Sequence, residues 1–224
     1  MSASKTDSYQ PTPRTRLKRL PKRAHYDRQT VHAILDAGFV CHVGYTIEGQ
    51  PYVTPTTYWR HGDRVYWHGS SASRMLRNIA AGVPVCLTVT HIDGFVMARS
   101  GFHHSVNYRS VMALGIAHAV TDAAEKEQAL DAFVERLFPG RVRELRPPTR
   151  QELKGTMVVG MDLAEVSAKV RTGPPVDDEP DYALPVWAGV LPIATAFGPA
   201  EADPKLTPGI ALPEYLRDFR LEPK

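Results

Sequence analysis

The sequence has 224 residues, 43% of them hydrophobic, and a formal net charge of +3 at pH 7. A chain of this length and composition can bury a sizeable core in one domain with extensions. Because the net charge is small and the basic residues concentrate near the N-terminus, a broad nucleic-acid surface is not expected.

The cysteines and the apolar runs indicate a cytoplasmic protein without a metal site. Cys41 and Cys86 lie in apolar runs without CxxC spacing, which favours buried reduced thiols over a disulfide or a zinc site. His103 and His104 are adjacent and point apart on an extended chain, so they are poor joint metal ligands. No apolar stretch reaches the length of a membrane span, and the N-terminus lacks the apolar region of a signal peptide.

The chain begins with a basic, Pro-interrupted segment, residues 1–26, whose composition predicts an arm. Asp27 then predicts the N-cap of a helix that runs through Ala37, with Gly38 at its end. The alternation of apolar residues from Phe39 to Ile47 predicts the first strand.

A β-hairpin followed by a Gly/Ser-rich loop is the most informative part of the sequence. Tyr52 to Arg60 and Arg64 to His68 predict two antiparallel strands joined at His61-Gly62-Asp63. The loop Gly69-Ser70-Ser71-Ala72-Ser73 leads into a helix that starts at Arg74 and ends near Gly82. Backbone N–H groups, hydroxyls and a guanidinium therefore meet at one helix N-terminus, which suits an anion such as phosphate. A Ser N-cap beside a solvated Arg is the alternative interpretation.

The remainder of the chain predicts more strands than helices. Gly115 interrupts a long strand, and Asp122 begins a helix that ends at Phe138. The predicted strands are Pro84 to His91, Phe95 to Ser100 after a turn at Ile92-Asp93-Gly94, Val111 to Val120, Thr156 to Met161 and Glu165 to Arg171. About seven strands and three helices that do not alternate with them predict a mainly β fold, an antiparallel barrel with peripheral helices.

A Pro-rich extension, residues 172–224, follows the predicted domain 27–171. It lacks the periodicity of an independent core and is expected to lie across a preformed surface, its own or a partner's, with Trp187 as its anchor.

The order of hairpin, Gly/Ser loop ending in Ser73-Arg74, helix and long Gly-containing strand resembles the FMN-binding split-barrel family, the pyridoxamine 5′-phosphate oxidase-like proteins. Within that family the chain is most similar to the branch that includes nitroimidazole-resistance-type flavoproteins. The resemblance covers roughly residues 25–170. It implies a homodimer with FMN at the subunit interface.

The resemblance also implies a set of cofactor-binding residues. The strand Tyr52-Val53-Thr54-Pro55-Thr56-Thr57 would lie along the isoalloxazine ring, and His68 and Gly69 would flank the ribityl chain and phosphate. Ser73 and Arg74 would hold the phosphate, Ser110 matches a position that reaches the flavin, and Trp187 is a further candidate. His68 is also the nearest match to a histidine with a chemical role in the nitroimidazole-type branch.

Two departures from the family pattern limit what is carried over. Met75 stands where the oxidase proper has Lys, so a phosphate would need another cation, for which Arg77, Arg109, Lys169 and Arg171 are the candidates. The C-terminal sequence EYLRDFRLEPK lacks the Arg/His motif that grips the vitamin phosphate, so pyridoxamine phosphate oxidation is not expected.

The resemblance therefore implies an FMN-dependent oxidoreductase that acts on a small molecule and uses a reduced nicotinamide donor. A haem- or deazaflavin-binding split barrel is one alternative. A non-catalytic flavin-nucleotide-binding or regulatory module is another.

Overall fold

The structure, a computed structural model, describes residues 7–217 and 219. The helices within these residues are α1 Arg28–Asp36, α2 Arg74–Ala80, α3 Ala123–Leu137 and α4 Arg150–Gly155. The strands are β1 Ala24–His25, β2 Val40–Ile47, β3 Gln50–His61, β4 Arg64–Ser70, β5 Pro84–Met97, β6 Ser105–Ile116, β7 His118–Ala119, β8 Thr156–Asp162, β9 Glu165–Arg171 and β10 Gly189–Pro192.

The strands form one curled antiparallel sheet in the order β1-β9-β6-β5-β2-β3-β4-β8-β7, and β10 pairs with β5. One group of buried side chains fills the inside of the curl, with Val43, Trp67, Leu87 and Met161 among its members. A second group, around Trp59 and Tyr66, is covered by α3. The mainly β, antiparallel architecture with flanking helices predicted from the sequence is thus confirmed.

The local signals around the hairpin predicted its structure correctly. Asp27 caps α1 by accepting a hydrogen bond from the Thr30 backbone N–H at 2.7 Å. The hairpin turns at Gly62, whose φ of 58° lies in the left-handed region that glycine adopts without strain. The Gly/Ser loop follows β4 and leads into α2 where the sequence predicted it.

The turn predicted at Ile92-Asp93-Gly94 is wrong, because β5 continues through it. Ile92 pairs with Tyr108 and Gly94 pairs with Asn107, so Asp93 is the extra residue of a β-bulge. Arg109 donates to both carboxylate oxygens of Asp93 at 2.9 and 2.8 Å. The polar residues that indicated a turn therefore bend a single long strand.

Gly115 is the next-to-last residue of β6, and the strand predicted from Val111 to Val120 is divided into β6 and β7 just after it. A Cβ atom at this position would lie 2.9 Å from Cγ and Sδ of the buried Met161. The chain can therefore cross closely over β8 here, and β7 then pairs with β8 rather than with β5.

Both extensions pack on the barrel. In the N-terminal segment Tyr9 is buried and β1 pairs with β9, while residues 1–6 lie outside the described part. In the C-terminal extension the pairing of β10 with β5 holds the chain to the sheet. Trp187 is 67% exposed and packs against its own neighbour Gly189, so this ring does not anchor the extension on the barrel of its own chain. Residues 218 and 220–224 of the C-terminal sequence lie outside the description.

None of the helices formed by the described residues is long and apolar enough to cross a membrane.

The C-terminal end of α1 is buried, and side chains from three other elements satisfy it. Asp36 is 1% exposed, and its carboxylate accepts from the Arg60 guanidinium, with Nε at 3.0 Å from Oδ1. Arg136 of α3 donates to the backbone carbonyls of Asp36 and Gly38. The sequence predicted only an apolar face for α3 and did not identify Arg136 as a buried residue.

We expect Arg60→Met to lower the free energy of unfolding by about 3 to 5 kcal/mol, because it leaves the Asp36 carboxylate buried without its partner. The measurement is urea unfolding followed by tryptophan fluorescence. The matched control is Arg14→Met, which removes the surface pair with Glu165 and should change the stability by less than about 1 kcal/mol. Equal effects of the two substitutions would contradict this assignment.

Candidate functional site

A cleft opens where β3 and β4 part. The first part of β3, Gln50 to Thr57, pairs with β2 along one edge, whereas pairing with β4 is restricted to residues 58–61 of β3. Beyond Trp67, β4 continues to pair only with β8. Within the described chain, the edge of residues 50–57 that faces away from β2 thus has no strand partner. Its backbone N–H and C=O groups are available to a ligand.

The Gly/Ser loop at the end of β4 is held by its own hydrogen bonds. Ser70 Oγ accepts from the Ala72 N–H at 3.2 Å, and the Ser71 N–H donates to the Gly155 carbonyl at 2.8 Å. Ser73 caps α2 by accepting from the Leu76 N–H at 3.4 Å. The hydroxyl of Ser73 keeps its own proton for another acceptor.

Arg74 connects this loop to the hairpin. Its guanidinium carbon lies 5.5 Å from the centroid of the Tyr52 ring, and Tyr52 stacks on Tyr45 with the ring centroids 5.6 Å apart. Tyr45 Oη lies 3.1 Å from Thr54 Oγ1. Arg74 forms no salt bridge with any carboxylate in the described chain. An exposed cation without an acidic partner, beside unpaired backbone, favours an anionic ligand.

Among the four candidates for a second cation, Arg77 lies next to the loop. Its Nε donates to the Ser71 carbonyl at 2.9 Å, which leaves the terminal nitrogens for another acceptor. Arg109 is occupied by Asp93, and Arg171 donates to Asn107. Lys169 lies on β9, which β6, β5 and β2 separate from the hairpin.

The other hairpin residues fall on two faces of β3. Thr54 and Thr56 are half-buried, whereas Val53, Pro55 and Thr57 are exposed, and Val53 is 69% exposed. Gly69 faces α2, because a Cβ atom there would lie 3.1 Å from Leu76 Cδ1. The structure thus brings together the predicted strand 52–57, Gly69, Ser73 and Arg74.

His68 lies on the opposite face of β4 from its neighbour Gly69, because side chains alternate along a strand. Its ring packs against Trp59 and Phe133 at centroid distances of 5.7 and 4.9 Å, under α3. Nδ1 is buried and has no hydrogen-bond partner in the described chain. Burial lowers the pKa of His68 below its usual value. Within one chain this imidazole is half-buried beside the Trp59 cluster and does not face the cleft.

Ser110 and Trp187 also lie away from the cleft of their own chain. Ser110 is on β6, with β5 and β2 between it and the hairpin, and its hydroxyl donates to the Lys169 carbonyl at 3.3 Å. Trp187 precedes β10, which pairs with the far end of β5.

The sequence analysis missed a second candidate site, a cavity of about 920 Å³ between the C-terminal extension and the barrel. Its wall consists mainly of apolar and small residues, with His91 from β5 and Arg217 from the extension. His91 continues the inward-facing series Val85, Leu87 and Val89, in which alternation predicts another apolar residue. A histidine at a position where alternation predicts an apolar residue was the signal in the sequence for this second site.

Comparisons with a family model and with solved structures place the chain among known proteins. The sequence model of the family described as pyridoxamine 5′-phosphate oxidase matches residues 27–170. A search of curated proteins gave no match.

Solved structures are similar over most of the chain. The flavocytochrome Anf3 from Azotobacter vinelandii is 48% identical with a TM-score of 0.90, and the match covers 96% of this chain and all of Anf3. The FAD and haem binding protein from Mycobacterium smegmatis is 34% identical with a TM-score of 0.84, and the match covers 87% of this chain and 96% of that protein. A candidate 5-nitroimidazole antibiotic resistance protein from Bacteroides thetaiotaomicron is 23% identical with a TM-score of 0.50, covering 66% of this chain and 86% of that one. This last likeness concerns the fold alone.

The lowered pKa of His68 predicts how the stability of the protein depends on pH. Because its folded-state pKa is lowered, neutral His68 contributes stability above the unfolded pKa of about 6.5, and this stability is lost as the pH falls below that value. We expect His68→Leu to lose less stability than wild type between pH 7.5 and 5.5, as measured by urea unfolding at both pH values. His118→Leu, at an exposed position of β7, is the control. A pH dependence in His68→Leu equal to that of wild type would contradict the prediction.

Proposed function

Because the chain belongs to the pyridoxamine 5′-phosphate oxidase family, we propose that it is an oxidoreductase that binds a flavin nucleotide in the β3–β4 cleft and also binds haem. The observation that carries the flavin assignment is the unpaired edge of residues 50–57 beside Arg74, which has no acidic partner among the described residues. The two relatives that are most similar in sequence among those above, a flavocytochrome and an FAD and haem binding protein, support both cofactors.

The residues of the cleft fit a flavin nucleotide. The isoalloxazine ring has alternating donors and acceptors on one edge, which the unpaired backbone of β3 can satisfy. Ser73 and Arg74 offer a hydroxyl and a guanidinium to a phosphate, and Arg77 adds a second guanidinium next to the same loop. Arg77 thus takes the place of the Lys that Met75 replaces.

We propose FAD as the flavin, with FMN as the alternative that the sequence alone favoured. The FMN phosphate and the FAD pyrophosphate each carry about two negative charges at neutral pH. The arginines therefore accommodate either nucleotide. The relative named for FAD is 34% identical over 87% of the chain, and it supports FAD.

The cavity under the C-terminal extension fits a haem. A haem is a flat, apolar ring system with two carboxylates, and the cavity offers apolar walls, one imidazole and one guanidinium. Val40 lines this cavity and is the strand partner of Thr57, the last residue of the unpaired edge of β3. The proposed flavin and haem sites are therefore separated by little more than one strand.

When bound, the flavin supplies hydride and electron chemistry, and we propose a reduced nicotinamide as its donor and a small molecule as the final acceptor. The chain's own residues bind and orient the flavin. Arg74 neutralises the phosphate, the β3 edge fixes the ring, and α2 with the Gly/Ser loop sets the distance between them.

We propose a homodimer in which the partner subunit covers the outer face of β3. Val53 is an apolar residue on the hairpin and is 69% exposed. Ser110 and Trp187 cannot reach the cleft of their own chain, so a partner could bring them there.

The cofactors released from the purified protein test this function. We expect denaturation to release FAD, identified by chromatography and mass, and the pyridine haemochrome assay to detect haem. Release of FMN or a deazaflavin in place of FAD would change only the identity of the proposed flavin. Purified protein that is colourless and takes up neither flavin nor hemin would overturn the proposal.

Arg74→Ala should weaken flavin binding by about 1.5 to 3 kcal/mol, because it removes a charge-assisted phosphate contact. The measurement is a flavin fluorescence titration of deflavinated protein. Arg143→Ala, in the exposed turn after α3, is the matched control and should bind as wild type. Wild-type affinity in Arg74→Ala would refute the role of this residue.

Val53→Arg should weaken dimerisation at least about tenfold, because it buries an unpaired charge in the proposed interface. Light scattering coupled to size-exclusion chromatography measures the dimer fraction over a concentration series. Val176→Arg, at an equally exposed valine of the extension, is the control. A dimer fraction that is the same in both variants and in wild type would exclude this face.

A further inference from the structure

We propose that this chain docks reversibly on anionic lipid bilayers through residues 16–23 of its N-terminal segment, here called the basic loop. The inference goes beyond the proposed cofactor function and does not depend on it. It rests on the charges of the basic loop, on the contacts that hold the loop to the barrel, and on one apolar side chain at its centre.

The basic loop has five cations that no carboxylate neutralises. They are Arg16, Lys18, Arg19, Lys22 and Arg23, of which Arg23 is half-buried and the others are exposed. None of them takes part in a salt bridge formed by the described residues. The sequence contains no Asp or Glu from residue 8 to residue 26. A compact group of unpaired surface cations creates a positive potential, which favours an anionic partner.

A buried cation on the neighbouring strand adds to this positive potential. Arg171 of β9 is 8% exposed and donates only to neutral acceptors, the Asn107 side chain and the carbonyls of Gly173 and Pro174. Burial and the nearby charge of Arg23 both lower the pKa of Arg171. The positive charge therefore extends from the basic loop to the edge of the sheet.

The basic loop is held in one conformation at both of its ends. The Tyr26 hydroxyl accepts from the Leu17 N–H at 3.0 Å and donates to the carbonyl of the buried Thr15 at 3.2 Å. The Arg23 N–H donates to the Leu20 carbonyl at 3.0 Å, and β1 then joins the sheet by pairing with β9. Because the loop is fixed, its cations are presented together without a large loss of entropy on binding.

Leu20 is an exposed apolar residue in a conformation that residues with a Cβ atom avoid. Its φ of 56° and ψ of 57° lie in the left-handed region, and 45% of its surface is exposed. The other described non-glycine residue with a positive φ, Glu48, lies in the tight turn that joins β2 to β3. Leu20 belongs to neither group of buried core residues, so packing does not account for the strain. Strained conformations of this kind cluster at functional sites.

These features fit the interface of a bilayer better than they fit other polyanions. The cations can pair with lipid phosphates while Leu20, at their centre, enters the boundary of the acyl chains. A nucleic-acid backbone also attracts cations, but it offers no apolar phase to a leucine. Because one leucine and five cations make a small contact, we expect binding that is reversible and sensitive to salt.

Co-sedimentation of the full-length protein with lipid vesicles tests the inference. We expect binding to vesicles of equal parts phosphatidylcholine and phosphatidylglycerol at about 0.05 M NaCl, and loss of binding at about 0.5 M NaCl or with phosphatidylcholine alone. The double variant Arg19→Gln, Lys22→Gln should bind the mixed vesicles at least about tenfold more weakly. The matched control is Arg143→Gln, Arg150→Gln, which removes the same charge from exposed positions between α3 and β8 and should bind as wild type.

A variant of Leu20 gives a readout that a merely structural residue would not give. Asn adopts the left-handed conformation more readily than Leu, and its polar side chain gains nothing from the acyl chains. We expect Leu20→Asn to bind the mixed vesicles at least about threefold more weakly. Its free energy of unfolding in urea should equal or exceed that of wild type, because the strain is reduced.

Several outcomes would overturn the inference. Wild-type protein that does not sediment with the mixed vesicles at low salt would do so, as would wild-type affinity in the folded loop variants. An equal loss in the Arg143, Arg150 control would show that net charge drives binding rather than the basic loop. Duplex DNA is the competing partner, and tighter binding of DNA than of mixed vesicles, lost in the same loop variants, would make the loop a nucleic-acid site instead.

Discussion

The buried C-terminal end of α1 is the constraint on which the rest of the structure depends. The last carbonyls of a helix have no partner within the helix, and in α1 they point into the protein interior. Ile34, Leu35 and Asp36 accept hydrogen bonds from His91 of β5, Tyr58 of β3 and Arg136 of α3 in that order. Each donor comes from a different element. One helix end therefore fixes the relative positions of two strands and the longest helix in the described chain.

This helix end also explains why charge is buried in a mainly apolar core. The negative end of the α1 dipole attracts cations, and Arg136 and Arg60 are placed there. The Asp36 carboxylate then balances Arg60 in a pair that is almost fully buried. Because the pair needs both partners, it is a strong constraint on the geometry rather than a large net source of stability.

The two candidate sites lie on either side of this framework. The β3–β4 cleft exists because β3 changes partners at Tyr58, the residue whose hydroxyl reaches α1. The cavity exists because the C-terminal extension returns over the link between α1 and β2. Since Val40 lines the cavity and pairs with Thr57, a change at the end of α1 would affect both sites.

The sequence was sufficient to predict the parts of the structure that depend on local signals. The Asp27 cap, the hairpin turn at Gly62 and the Ser73 cap of α2 are each determined by residues within a few positions. The phosphate-binding candidates follow from the same signals, because Ser73 and Arg74 begin a helix.

What the sequence could not supply depends on contacts between distant residues. Asp93 has the composition of a turn, and only continued pairing with β6 makes it a bulge. His68 and Gly69 are adjacent in sequence, yet alternation puts one under α3 and the other against α2. Arg136 and His91 form hydrogen bonds to partners 100 and 57 positions away, a separation that no local pattern reports.

A crystal structure of the protein with its cofactors bound tests the central claim most directly, namely that the anion site at Arg74 holds the flavin nucleotide along the open edge of β3. The account predicts phosphate density within hydrogen-bonding distance of Arg74 and Ser73, and an isoalloxazine ring bonded to the backbone between Gln50 and Thr57. A flavin located elsewhere, with that edge covered by protein, would contradict it.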